Sequence, residues 1–424
     1  MSAAFPAARD EKASDTFAAR GRLLLTGHPD GRVTLTPDAM LVWTSTGALL
    51  HAGPATAEFA EARLVAGSPR AMLLAGFWDP HVHLPQLELA GRYREPLLTW
   101  LERRVFPEEA RHRDPAVARG AAESFFEALL AAGTLGAGIF AAPSETSAVC
   151  ALEEAWRRGV PCRCGPSLMD TGAPADLLAP VERWEEIQQR LFRRFARDAA
   201  VVPRFVLAAS PALLTRCGEL ARSHRAFVLG HIAETKDEVA AVLASTGEPS
   251  YTEVYERAGL LGPRTVLAHG IHLDDTELGL LAFSRTVIAH CPASNRALGS
   301  GRMPLERLRA RGVRWCLASD VGAAPELSLL HVIDTFLEVH RGQVRVDEQE
   351  AYWRATFAGA DALGYGAERG ALVPGRQADF LVVAEAPPRV RTPRGAIRAL
   401  LRRGREDGWN GLFEAAYVSG HRVR

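Results

Sequence analysis

The sequence predicts an α/β protein: a (β/α)8 TIM-like barrel with a small β-sandwich domain built from both chain ends. Three observations predict it. The chain has 424 residues, too many for one small domain and enough to bury a large core. Between residues 76 and 364, short apolar runs alternate with long stretches of helical periodicity. The ends of those runs collect polar residues, and a barrel keeps its chemistry at the C-terminal ends of its strands.

Residues 1–20 are Ala-rich and polar and are expected to be disordered. Residues 21–75 read as short strands at 22–26, 33–35, 40–43 and 48–51, punctuated by Gly and Pro. The tail offers matching strands at 380–383 and 416–423. Segments 21–75 and 365–424 are therefore expected to form one composite β domain around a barrel of residues 76–364. The eight barrel strands are expected at 74–83, 134–140, 162–168, 205–210, 227–232, 265–269, 286–290 and 314–319. The helices that follow them are expected at 116–132, 147–158, 181–197, 211–223, 236–245, 274–284, 304–311 and 327–341.

Composition removes several function classes. Hydrophobic residues make up 47% and charged ones 24%, ordinary for a globular chain. The formal net charge is zero, so no basic surface points to nucleic acid or to an anionic membrane. Lys12 and Lys236 are the only lysines. The six cysteines form no spaced framework, and Cys162 and Cys164 read as alternate core positions of one strand. No basic stretch followed by an apolar run opens the chain, and no window reaches the ~18 apolar residues of a membrane span. A cytoplasmic location is the expectation.

The strand ends carry the functional signal. The first ends in Asp79, His81 and His83, the fifth in His231 and then Glu234, the sixth in His269, the seventh in His290 and the eighth in Asp320. Five of the 13 histidines stand at these places. His81 and His83 are two apart, so both side chains point to the same face of a strand, here the barrel interior. His231 and Asp320, from strands across the mouth, can complete the set. Three nitrogens and one carboxylate oxygen suit one Zn²⁺ with a position left for water. The bland reading of a lone inward histidine is a hydrogen-bonded core residue, but a pair joined by three later His and Asp strand ends outweighs it. Glu234, just past its strand, can carry a proton from a metal-activated water to a leaving group. Its bland alternative is a cap for the helix that follows.

These strand ends, with the run from Gly76 to His83 and the Pro-Gly-Arg-Gln-Ala-Asp segment reaching Asp379, resemble the amidohydrolase superfamily over nearly the whole chain. Members with two metals usually bridge them by a carbamylated lysine at the end of the fourth strand. No lysine stands there, and Arg204, expected near the start of that strand, forms no carbamate, so the resemblance implies the branch with one metal. Within it, the H-x-P-Q run from His83 to Gln86, the L-L-x-W-L-x-x-x-x-F-P-x-E run from Leu97 to Glu109 and the P-R-F run at Arg204 resemble the guanine deaminases. The segments beginning at His231, Tyr251 and His290 resemble them too. The eighth strand ends Ala-Ser-Asp320 where the family more often has Gly-Thr-Asp; serine keeps the hydroxyl.

The resemblance implies hydrolysis of guanine to xanthine and ammonia. His81, His83, His231 and Asp320 would hold zinc. Glu234, His269 and Asp320 would be catalytic, and Gln86, Arg204 and His231 would contact the substrate. It also implies a homodimer working in purine catabolism on a small purine, with neither nucleic acid nor membrane as partner. Two alternatives stand beside it. One is a related mononuclear enzyme that deaminates or dechlorinates another purine, a pterin or a triazine. The other is a non-catalytic scaffold, which is expected to lose metal ligands; this chain keeps every one.

Overall fold

The computed structural model describes residues 16–93 and 95–424. The disorder expected for residues 1–20 thus lies mostly outside the described residues. Residues 16–20 are a correction, since they open the first strand.

Among the described residues, five strands come before the barrel: β1 (Thr16–Gly27), β2 (Val33–Thr44), β3 (Leu49–Pro54), β4 (Arg63–Gly67) and β5 (Met72–Ala75). The barrel strands are β6 (Phe77–His83), β7 (Thr134–Ala141), β8 (Cys162–Leu168), β9 (Val202–Pro203), β10 (Val228–Ile232), β11 (Thr265–His269), β12 (Val287–His290) and β13 (Arg314–Leu317). The tail adds β14 (Phe380–Val383), β15 (Ala415–Val418) and β16 (His421–Arg422).

Both chain ends meet in one eight-stranded sheet of order β16-β15-β14-β5-β1-β2-β3, with β4 on β1 beside β5. Its strands alternate between two cores, as the pleat requires. Leu23, Leu25, Met72, Leu74 and Leu381 face the barrel side. Leu24, Leu73, Phe380, Val382 and Tyr417 pack with Trp43 on the other side. The segments read separately at 33–35 and 40–43 are one strand, β2. Pro37 and Asp38 are exposed in its middle, but the pairing with β1 runs through them at Leu23↔Pro37. Conversely, the run at 416–423 is a hairpin of two strands. It breaks at Ser419 (φ 48°) and Gly420 (φ 73°), consecutive left-handed residues of the kind a tight hairpin turn needs.

The barrel is two parallel halves, β6-β7-β8-β9 and β10-β11-β12-β13. A parallel bridge at Val201↔Val228 joins them on one side. On the other, Asp320 N donates to His81 O (3.0 Å) and His83 N to Val321 O (3.1 Å). The expected first strand, 74–83, belongs to both domains: β5 pairs in the composite sheet and β6 in the barrel. Gly76 sits between them, where a Cβ would lie 2.3 Å from Leu135 Cδ1. Trp78, Val202, Leu229, Val266 and Ala289 fill the barrel interior.

Each of the eight expected helices is present, shifted by no more than a few residues at its ends, for example Glu145–Arg158, Val181–Phe195 and Lys236–Thr246. Two readings need correction. The fourth strand is Val202–Pro203, and the apolar run placed there, 205–210, holds a short 3-10 turn, Val206–Ala208. Arg204 therefore stands at the C-terminal end of its strand, the chemical end. The second correction is the helix Pro393–Asp407, which the tail was not expected to contain. Thr392 caps it and Pro393 opens it, while Ala396, Ile397, Leu400 and Leu401 bury one face.

Candidate active site

Seven strand-end residues meet in one pocket of about 450 Å³. His83, Gln86, Arg204, His231, Glu234, His269 and Asp320 line it together with the apolar Leu97, Trp100, Leu101, Phe205, Leu298 and Ala323. The apolar part comes largely from a helical strap over the mouth, Leu97–Trp100, Leu101–Val105 and Phe106–Arg111, whose middle turn is a wide π-turn.

His81, His83, His231 and Asp320 offer ligand atoms that all lie within 4.8 Å of one another. Asp320 Oδ1 is 3.3 Å from His81 Nε2 and 3.4 Å from His83 Nε2, and His83 Nε2 is 3.1 Å from His231 Nε2. His81 Nε2 is buried without a hydrogen-bond partner. Burial lowers the pKa of all three imidazoles and keeps them neutral, the form that ligates metal. Burial alone would raise Asp320. The imidazoles of His81, His269 and His83 outweigh it and hold the carboxyl far below its ordinary range. Neutral nitrogens, an ionised carboxylate and an orphaned buried Nε2 all fit a zinc-type ion.

The ligands are aimed from behind. His231 Nδ1 faces Arg204 O at 2.5 Å, and Tyr255 donates its hydroxyl to His231 O at 2.8 Å. Such outer bonds fix which ring nitrogen faces the metal. Asp79, which sequence reasoning left without a role, accepts from the Ser319 backbone N–H at 3.0 Å and from the Ser319 hydroxyl. It thereby ties β6 to the segment carrying Asp320, and the serine that departs from the family pattern supplies the hydroxyl. Burial pushes the Asp79 carboxyl up to about 7.

Glu234 is not a cap. Thr235 caps helix Lys236–Thr246 in a capping box with Glu238, whose Oε2 also accepts from Glu234 N at 2.9 Å. Tyr251 donates to the other oxygen of Glu238 at 2.7 Å. Among the described residues, the Glu234 side chain accepts only from Ser300 Oγ (2.9 Å), and it lies 3.5 Å from His269 Nε2. Burial raises its pKa to about 7, against the pull of His269. Burial disfavours charge on His269, yet the carboxylates of Glu234 and Asp320 and the bond to Asn295 raise its pKa. Its Nδ1 is 2.9 Å from Asn295 Oδ1. His290 is not part of this group; its Nε2 faces His340 Nε2 at 3.1 Å.

Arg204 is no surface ion pair. It is 2% exposed, and its Nη1 donates to Glu109 Oε2. Glu109 Oε1 accepts from Gln86 Nε2 at 3.2 Å. Sequence reasoning quoted Glu109 inside the F-P-x-E run but gave it no part; Glu102 and Glu108 stand in the same strap, so no local signal singled it out. Gly322 closes the pocket floor against Gln86, where a Cβ would come 2.3 Å from Gln86 O.

A model of the family described as "Amidohydrolase family" matches residues 72–407. The chain belongs to the amidohydrolase family. This amidohydrolase is 37% identical over 376 residues to the "Probable guanine deaminase" of Deinococcus radiodurans, covering 83% of each chain. It is 33% identical to the guanine deaminase of Escherichia coli, over 74% of this chain and 73% of that one. The crystal structure of guanine deaminase from Bradyrhizobium japonicum superposes with a TM-score of 0.89 at 26% identity, covering 97% of this chain and 99% of that one. Among the described residues, no helix of this amidohydrolase is long and apolar enough to cross a membrane.

Proposed function

We propose that this amidohydrolase hydrolyses guanine to xanthine and ammonia with one zinc ion per chain, held by His81, His83, His231 and Asp320. The observation that carries the reading is the Gln86–Glu109–Arg204 clamp facing the metal set across a pocket of about 450 Å³. The likeness to guanine deaminases over most of the chain supports it. Zinc bound there would lower the pKa of a water and so supply a nucleophile at neutral pH. The chain's own residues do the rest. Arg204 and Gln86 donate to the purine's polar edge and turn C2 toward the metal set, with His231 beside it. Asp320 takes a proton from the attacking water. Glu234, near neutrality in pKa, gives its proton to the ring nitrogen, carries the added hydroxyl's proton to the departing amine, and is reprotonated by the proton that Asp320 took. His269 holds the developing oxyanion.

The same reading takes the protein as a homodimer of the cytoplasm in purine catabolism. It divides the chain into a barrel of residues 76–364 and a composite β domain of 21–75 and 365–424. The test is ammonia release on guanine, 8-oxoguanine, isoxanthopterin, cytosine, adenine and melamine, with metal content by mass spectrometry. Guanine turnover with one zinc per chain is the expected result. Bound zinc with turnover of melamine or a pterin instead would keep the chemistry and overturn the substrate.

A further inference from the structure

Among the described residues lining the pocket, Arg204 is the one permanent cation, and its side chain is 3% exposed. A guanidinium so buried is costly unless a counter-charge meets it. Glu109 meets it from helix Phe106–Arg111 with a side chain that is 0% exposed. One carboxylate oxygen accepts from Arg204 Nη1 and the other from Gln86 Nε2 at 3.2 Å. Glu109 is not itself on the pocket wall. The wall thus presents the remaining N–H donors of Arg204, but the pair behind it carries no net charge.

We propose that Glu109 is a positioning residue that sets the charge of the substrate pocket, so that the site admits neutral guanine and lets anionic xanthine go. The proposal rests on the guanine reading above. Hydrolysis adds water across C2, releases the exocyclic nitrogen as ammonia and leaves a carbonyl in its place. The ring N–H groups then lie between carbonyls, as in an imide, and are more acidic than those of guanine. Xanthine therefore becomes an anion at a pH where guanine is still neutral. A bare guanidinium would hold that anion, whereas a neutralised one offers the same hydrogen bonds without the charge attraction.

Guanine turnover by the zinc-loaded enzyme with added xanthine tests this, at a pH below and a pH above the ionisation of xanthine. Glu109→Gln keeps the shape and removes the charge. Its inhibition constant for xanthine is expected to fall about tenfold or more relative to the parent, with the gap opening as xanthine ionises. KM for guanine should rise more than kcat falls, and Glu109→Asp should keep the parent's profile. The other titratable groups facing the pocket, His83, His231, Glu234, Glu238, His269 and Asp320, are common to both proteins and cancel in the comparison. Equal xanthine inhibition in parent and Glu109→Gln, or a gap that does not change with pH, overturns the proposal. If Glu109→Gln does not fold, Arg204→Gln reads the opposite sign: xanthine inhibition should weaken with pH more steeply than in the parent, and an unchanged profile overturns it. A parent that fails to turn over guanine defeats the substrate reading instead, a separate result.

Discussion

Glu234 has freedom that its neighbours lack. The capping of the next helix is done by Thr235 and Glu238, and among the described residues Ser300 alone donates to the Glu234 side chain. Replacing Glu234 with Gln keeps that hydrogen bond but removes the transferable proton. Turnover should fall by about 10²–10⁴ with metal content unchanged. Full activity in the variant would take Glu234 out of the mechanism. Arg204 shows a different dependence, because a carboxylate 95 residues away in sequence shares its burial. Arg204→Ala should weaken guanine binding and also destabilise the fold by about 3–5 kcal/mol, since it strands Glu109 in the interior. The double variant Arg204→Met with Glu109→Met should unfold at lower denaturant cost than the parent by much less than that, while still binding guanine poorly. Equal destabilisation in the single and double variants would show that the pair is not coupled. The histidines of the metal set were legible as strand ends. Glu109 was not, because nothing in local spacing says that a helix in the strap folds back onto β9.

The ends of three barrel strands share an uncommon backbone. Ala233 (φ 49°), His269 (φ 75°) and Asp320 (φ 55°) are left-handed without being glycine. Each such residue costs about 1–3 kcal/mol, and all three flank the pocket. Ala233 makes no polar side-chain contact, so Ala233→Gly should remove the strain and raise stability by up to about 1 kcal/mol in chemical denaturation. A loss of stability would mean that the Ala233 methyl packs better than its backbone suits. Helices were legible because their starts are written in short-range chemistry. Ser144, Ser210, Thr235 and Asp274 each cap the helix that follows them. The fourth strand was misread for the opposite reason. The apolar run at 205–210 is buried at Val206 and Ala208, but burial of four or five residues does not say whether the backbone pairs. Pairing stops before that run: Ala199 and Val201 bridge to Cys164 and Val228, and Val202 and Pro203 pair with Ser167 and Leu168. The helix Pro393–Asp407 was not read, because its many arginines masked the Thr-Pro start and the apolar spacing of its buried face.

At the scale of the whole molecule, the eightfold alternation of runs and helices made the barrel readable. Its closure was not, because closure depends on a few contacts between the halves. Val201↔Val228 joins one seam, and the Asp320–His81 and His83–Val321 backbone bonds join the other. The metal set spans the same division: His81 and His83 come from β6 in one half, His231 from β10 in the other, and Asp320 from the segment after β13. An ion held by all four would therefore clasp the halves together, and its loss should be felt first at the seams. Binding at 100 times the dissociation constant stabilises the folded state by about 2.7 kcal/mol. Stripping the metal with a chelator should lower the melting temperature, and zinc added back should restore it. Hydrogen exchange in the stripped protein should speed up along β6, β9, β10 and β13, while β1, β5 and β14, tied together in the composite sheet, keep their protection. Uniform acceleration through both regions would mean that barrel and sheet unfold as one unit. Unchanged exchange would mean that the backbone bonds at the seams hold the barrel closed without the ion.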